Sequence, residues 1–157
     1  MMSDIVARIW GVGLFMAFQA ARMLSKILKP HIRGTMVAIW CRGRILLVKS
    51  SYRSGWSVPG GLVKKGETWA QGAVRETFEE VGLRLKEQNL VFKSEVPGDL
   101  GPRDWSYLFE TSLDYPVEVT IDGREIIDAK FVAPQTALKR RLHGNVRRYL
   151  QERNDTP

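Results

Sequence analysis

The stretch that decides the fold is GLVKKGETWAQGAVRETFEEVGL, residues Gly61 to Leu83. Its spacing is specific: Gly61, five residues, Glu67, seven residues, then Arg75-Glu76-Thr77-Phe78-Glu79-Glu80-Val81-Gly82-Leu83. Thr68 with Gln71 forms a capping box that starts a helix, and Gly82 is placed to end it. In such a helix Glu76, Glu79 and Glu80 stand three and four residues apart and share one face. Like charges at i,i+4 destabilise a helix by roughly 0.2–0.5 kcal/mol per pair, so something cationic is expected among them. Oxygen ligands clustered without histidine or cysteine point to magnesium or manganese and away from zinc.

Immediately upstream, Trp56-Ser57-Val58-Pro59-Gly60-Gly61 supplies a turn whose glycines bring the backbone close to a ligand. The whole pattern resembles the Nudix box, the signature of hydrolases that cleave nucleoside diphosphates linked to another group. Gly61, Glu67, Arg75, Glu76, Glu79, Glu80 and Gly82 match its fixed positions, and Leu83 fits the hydrophobic position that closes it. Thr77 departs from it, standing where the pattern asks for a bulky aliphatic; its methyl still serves packing. The box covers 23 residues, and the resemblance extends over roughly 33–138.

The resemblance implies an α/β/α sandwich with a mixed sheet, and a phosphoanhydride hydrolysed by water attack at phosphorus. It implies magnesium, with manganese as a substitute, held by Glu76, Glu79 and Glu80 with the Gly61 carbonyl. Glu76 is the first candidate to orient or deprotonate the water, with Arg75 and Glu67 holding the carboxylates in position. By the same resemblance Glu125, just before the last strand, is a candidate extra metal ligand, with an ordinary strand-entry charge as the alternative. Asp99 and Asp104 are read as solvated loop residues.

Outward from the box, 157 residues make one ordinary domain. The single cysteine, Cys41, excludes an internal disulfide framework and suits a reducing, cytoplasmic compartment. The net charge of +7 is unevenly placed: residues 1–33 carry five Lys/Arg against Asp4, and residues 139–157 carry six against Glu152 and Asp155. The body between them has 13 basic and 14 acidic side chains, which argues against a nucleic-acid groove across it. The basic ends are expected to meet something anionic.

Residues 1–30 read as an amphipathic basic helix preceding a domain over 31–157. Along the helix read at 5–29 and its preceding residue, Asp4, Arg8, Gly11, Gln19, Arg22, Lys26 and Lys29 fall on one stripe, broken mainly by Phe15, and the rest of the circumference is apolar. The uncharged run Ile9–Ala21 has 13 residues, too short to span a bilayer upright. A helix lying in a membrane interface, one covering the domain or a homodimer partner, and a targeting peptide are the readings left open.

Pro30 ends that helix. Strands are expected at Thr35–Trp40, Ile45–Lys49, Asn89–Val96, Trp105–Thr111 and Glu125–Val132, with a loop over 97–104. A basic helix is expected from Pro134 to about Leu150. Tyr52, Arg53 and Trp56 precede the box on a loop expected to border the site, and Arg103 and Trp105 approach from the opposite loop. These five are candidate contacts to a nucleotide-type substrate, by stacking or by phosphate pairing, with packing or surface roles as alternatives. A non-catalytic Nudix-fold module that binds a nucleotide or partner through its basic ends is the competing function.

Overall fold

Strand β1 (Ile32–Cys41) is buried almost throughout and organises everything else. The computed structural model describes residues 2–28, 30–98, 100 and 103–154. Because β1 has one packed layer on each face, it reads as a continuous apolar run rather than as an alternating strand. Val37 and Ile39 point to one core, and Ala38 and Trp40 to the other, the period of two expected of a strand.

The sheet has six strands in the order β4-β5-β1-β2-β6, where β2 is Arg44–Ser50, β4 Val91–Pro97, β5 Asp104–Leu113 and β6 Ile126–Val132. The β1–β5 pair is parallel along its full length, from Ile32↔Asp104 to Cys41↔Leu113, and the other ladders are antiparallel. A tight two-residue turn joins β1 to β2, with Arg42 at φ 48° and Gly43 at φ 72°, the left-handed pair that matches strand twist. The first half of β1 pairs instead with β3 (Gly60–Leu62), a three-residue strand where the sequence suggested only a turn.

Helix α2 (Trp69–Val81) covers the core of Val37, Ile39, Leu46, Val48 and Ile126. The opposite face, with Trp40, Ile45, Leu47 and Leu108, lies under α3 (Pro134–Leu138) and α4 (Gly144–Asn154). The result is the expected α/β/α sandwich with a mixed sheet. The single C-terminal helix of the sequence reading is two helices. Between them Leu142 bridges to Trp56, whose N–H donates to the Arg141 carbonyl at 2.8 Å while His143 N–H donates back at 2.9 Å. The Arg147 guanidinium closes the break by donating to the Leu138 and Arg140 carbonyls at 3.1 and 2.9 Å.

Helix α1 runs from Met2 to Leu28. Among the described residues no helix is long and apolar enough to cross a membrane. Its docked side meets the loop after β2 and the segment before β6: Phe18 packs at a tilt against Tyr52 with ring centres 5.5 Å apart, Arg53 lies 5.4 Å over Phe18, and Arg124 lies 5.8 Å over Trp10. Thus Gly11, Gln19 and Arg22 of the polar stripe are on the helix's domain-facing side, while Ile9, Met16, Met23 and Ile27 are 62–78% exposed. The stripe positions Asp4, Arg8, Lys26 and Lys29 fall outside the described side chains.

Candidate active site

The α2 capping box forms, with Gln71 N–H donating to Thr68 Oγ1 at 3.1 Å and Thr68 N–H to Gln71 Oε1 at 3.0 Å. Gly82 closes the helix in the left-handed conformation at φ 72°, its N–H bonded to the Phe78 carbonyl. These two ends set the rotation of α2 so that Gly72, Ala73, Thr77 and Val81 face the core and Glu76, Glu79 and Glu80 lie along the β3 side. Thr77 is fully buried and its hydroxyl has no partner among the described residues.

Arg75 is the hub. Its Nε and Nη2 grip Glu67 at 2.7 and 2.9 Å, and its Nη1 reaches Glu76 at 2.6 Å and Glu79 at 3.0 Å. Nη2 also donates to the Leu62 carbonyl at 2.8 Å, so one side chain ties the loop, β3 and α2 together. Glu67 further accepts from the Lys64 N–H at 2.8 Å. Those hydrogen bonds, Arg75's first, hold the Glu67 carboxyl down at about 2.

Glu80 is the buried member, 8% exposed, and accepts from the Gly60 N–H at 2.9 Å. Burial drives its proton affinity well up against that hydrogen bond, and the charges of Glu125, Glu76 and Asp122 add to the effect. Burial likewise raises Glu76 despite its bond to Arg75, with Glu79 and Glu125 contributing. Glu79 is the outermost, shared between Arg75 and Lys64. Gly61 lies so close to Glu76 that a Cβ there would stand 2.4 Å from its carboxyl.

A pocket of about 550 Å³ opens over these groups, lined by Gly60, Gly61, Glu76, Glu79 and Glu125. Glu125 accepts from the Tyr52 hydroxyl at 2.9 Å, so these two predicted residues meet; burial and that carboxylate push the Tyr52 phenol up. Arg53 also lines the pocket. Trp56 does not: it is 9% exposed in the core under α4, with the cations of Lys130 and Arg140 over its ring. Its backbone bridges to Leu142, and the ring packs in the core beneath α4 instead of lining the pocket. Arg103 is exposed beside His31 and Trp105 is half exposed at the start of β5, both outside the pocket lining.

Asp104, read from the sequence as solvated, is 6% exposed and lines the pocket. It opens β5 rather than sitting on a loop, and the Leu100 N–H donates to it at 2.8 Å; burial raises its proton affinity. The alternation beginning at Trp105 could have been extended one residue back to find it. Asp99 lies outside the described residues. His143 and Asn145 also reach the pocket, but no local pattern marks them: they arrive through the break between α3 and α4. Burial, with Arg53 nearby, lowers His143 to about 4.

Among the described residues no three acidic or histidine side chains converge as a ready-made metal cluster, and Glu67, Glu76 and Glu79 are instead gathered on the Arg75 guanidinium. The donor chemistry nevertheless fits a hard divalent cation: the groups are carboxylate oxygens, and the Glu125 charge raises the proton affinity of both Glu76 and Glu80, an effect that a cation placed among them would reverse.

The NUDIX domain family profile matches residues 30–152. An uncharacterized Nudix hydrolase of Pseudomonas aeruginosa is 34% identical over 117 residues, 68% of this chain and 66% of that protein. An RNA pyrophosphohydrolase of Actinobacillus succinogenes is 36% identical over 55 residues, 35% of this chain and 28% of that protein. The chain thus spans less than two thirds of the length of these relatives. Among solved structures, a bifunctional NMN adenylyltransferase/ADP ribose pyrophosphatase of Francisella tularensis, complexed with AMP and a manganese ion, superposes with a TM-score of 0.68 at 23% identity, covering 96% of this chain and 48% of that one. Fold, box geometry and family match agree, and the chain belongs to the Nudix hydrolase family.

Proposed function

We propose that this chain is a metal-dependent hydrolase that cleaves a phosphoanhydride in a nucleoside diphosphate linked to a further group, by water attack at phosphorus. The observation that carries this reading is the placement of Glu76, Glu79 and Glu125 in the lining of one pocket beside the bare backbone of Gly60–Gly61, with Glu80 buried behind it on the Gly60 N–H. Glu76, Glu79, Glu80 and Glu125, with the Gly61 carbonyl, are the groups that would hold magnesium or manganese. When bound, the ions neutralise the diphosphate oxygens and acidify a bound water.

The remaining steps belong to the protein's own side chains. Arg75 and Glu67 lock β3 to α2, so the carboxylates need no reorganisation during the reaction. Glu76 has the raised proton affinity that suits a base taking a proton from water. Tyr52 fixes Glu125 through its hydroxyl. The test is Glu76→Gln, which removes charge without volume: a folded variant with metal-dependent turnover abolished supports the assignment, and full activity overturns it.

The outer face of α1 is assigned a peripheral contact with a lipid surface. It presents Ile9, Met16, Met23 and Ile27 exposed, and residues 1–33 carry five Lys/Arg against one acidic residue, a composition that suits an interfacial helix. Full-length protein should co-sediment with anionic vesicles and Met16→Glu should not. Equal sedimentation, or a stable dimer in solution that Met16→Glu splits, overturns this part.

A further inference from the structure

A second cavity, of about 390 Å³, lies beside the catalytic pocket and shares Phe18, Tyr52, Arg53 and His143 with it. One wall is the stripe of α1 that turns toward the domain, with Phe15, Phe18 and Arg22; the other is the segment around Arg141 that separates α3 from α4. Three arginines, Arg22, Arg53 and Arg141, line this space, and among the described residues no acidic residue does. Neither Arg22 nor Arg141 ion-pairs with a carboxylate among the described residues.

The like charges act on one another. Burial lowers the proton affinity of Arg53, the Arg22 charge lowers it further, and Tyr52 and Asp104 oppose them. Arg53 in turn helps keep His143 neutral. Arg22 and Arg141 are exposed at the mouth of the cavity and Arg53 lies deeper beside Phe18; positive charges gathered around one space repel one another, and an anion placed among them offsets that repulsion.

We propose that this cavity is a subsite for a second anionic group of the substrate, a phosphate or polyphosphate carried beyond the scissile diphosphate. The proposal rests on the hydrolase reading above and deepens it: the two pockets share a wall, so one molecule can occupy both. Arg22 precedes residue 30, where the family match begins, so this chain's own N-terminal helix supplies part of the specificity.

The test is calorimetric titration of inorganic triphosphate into the full-length protein in EDTA, which needs no turnover. Wild type should bind, Arg22→Gln and Arg141→Gln should each weaken binding about ten-fold, and Glu76→Gln should bind as tightly or more tightly. Wild-type affinity in Arg22→Gln and Arg141→Gln, or no binding by wild type, overturns the subsite. Loss confined to phosphatidate vesicles, with triphosphate affinity intact, would assign the cations to a lipid headgroup and overturn it too. With substrates sharing one diphosphate, Arg22→Gln should raise KM about ten-fold more for a distally phosphorylated group than for a neutral one. Triphosphate binding without turnover of any substrate would remove the hydrolase reading and leave the cavity's anion affinity standing.

Discussion

Replacing Gly61 by alanine places a methyl group where the Glu76 carboxyl now sits. The new Cβ would stand 2.4 Å from both Cδ and Oε2 of Glu76 and 2.8 Å from Oε1, whereas ordinary contact begins near 3.4 Å. The carboxyl must therefore retreat by about 1 Å, and a displacement of that size costs on the order of 100-fold in rate, about 2.7 kcal/mol. The obstacle is the end of a flexible side chain, so the fold should survive. Gly60→Ala is the contrasting control: its Cβ would meet the Thr35 carbonyl oxygen at 2.1 Å and the Met36 Cα at 2.8 Å, backbone that cannot give way. The assay pairs thermal melting with product release at saturating magnesium. Gly61→Ala should melt near wild type with turnover down about 100-fold, and Gly60→Ala should lose the fold. Wild-type turnover in Gly61→Ala would refute the claim that the Glu76 carboxyl must hold its position.

Three further outcomes follow from packing and charge. Thr77→Val removes a fully buried hydroxyl that has no partner among the described residues, and should gain about 1 kcal/mol, read as a melting point about 2–4 °C higher. Tyr149→Phe strips the acceptor from the buried Trp40 N–H, 2.7 Å away, and the donor to Glu110, which Arg153 also holds; it should cost about 2–3 kcal/mol, visible as a lower urea midpoint. Glu80→Gln tests the raised proton affinity of that group. A carboxyl whose folded-state value lies above its unfolded value stabilises fully below the unfolded value, and that contribution is lost as pH rises through the folded one. Metal-free Glu80→Gln should therefore melt higher than wild type at pH 8, with the difference closing toward pH 4; a constant difference would contradict the burial argument.

The box helix was legible because its signals are local. Thr68, Gln71 and Gly82 set its ends from within the same 15 residues, and the glutamate spacing follows from helix period alone. Five strands were legible from apolar runs, but β3 was not: Gly60–Leu62 is too short and too rich in glycine to carry a pattern, and it exists only because β1 lies opposite. The same holds for the break between α3 and α4, where pairing with Trp56 overrides helix propensity. Beside that long-range contact Trp56 packs in the core and His143 lines the pocket. Asp104 was misread because loop and strand differ there by one residue, and strand boundaries are poorly marked in sequence. In α1 the periodicity was plain but its orientation was not: period does not say whether a polar stripe faces water or, as Gln19 and Arg22 do here, lines a cavity.

The measurement that tests the account most directly is product release from a broad panel of nucleoside diphosphate derivatives, run with magnesium, with manganese and with EDTA. The account predicts metal-dependent cleavage of at least one class, silenced by EDTA. Absence of cleavage across the panel, together with no binding of either metal, would contradict it.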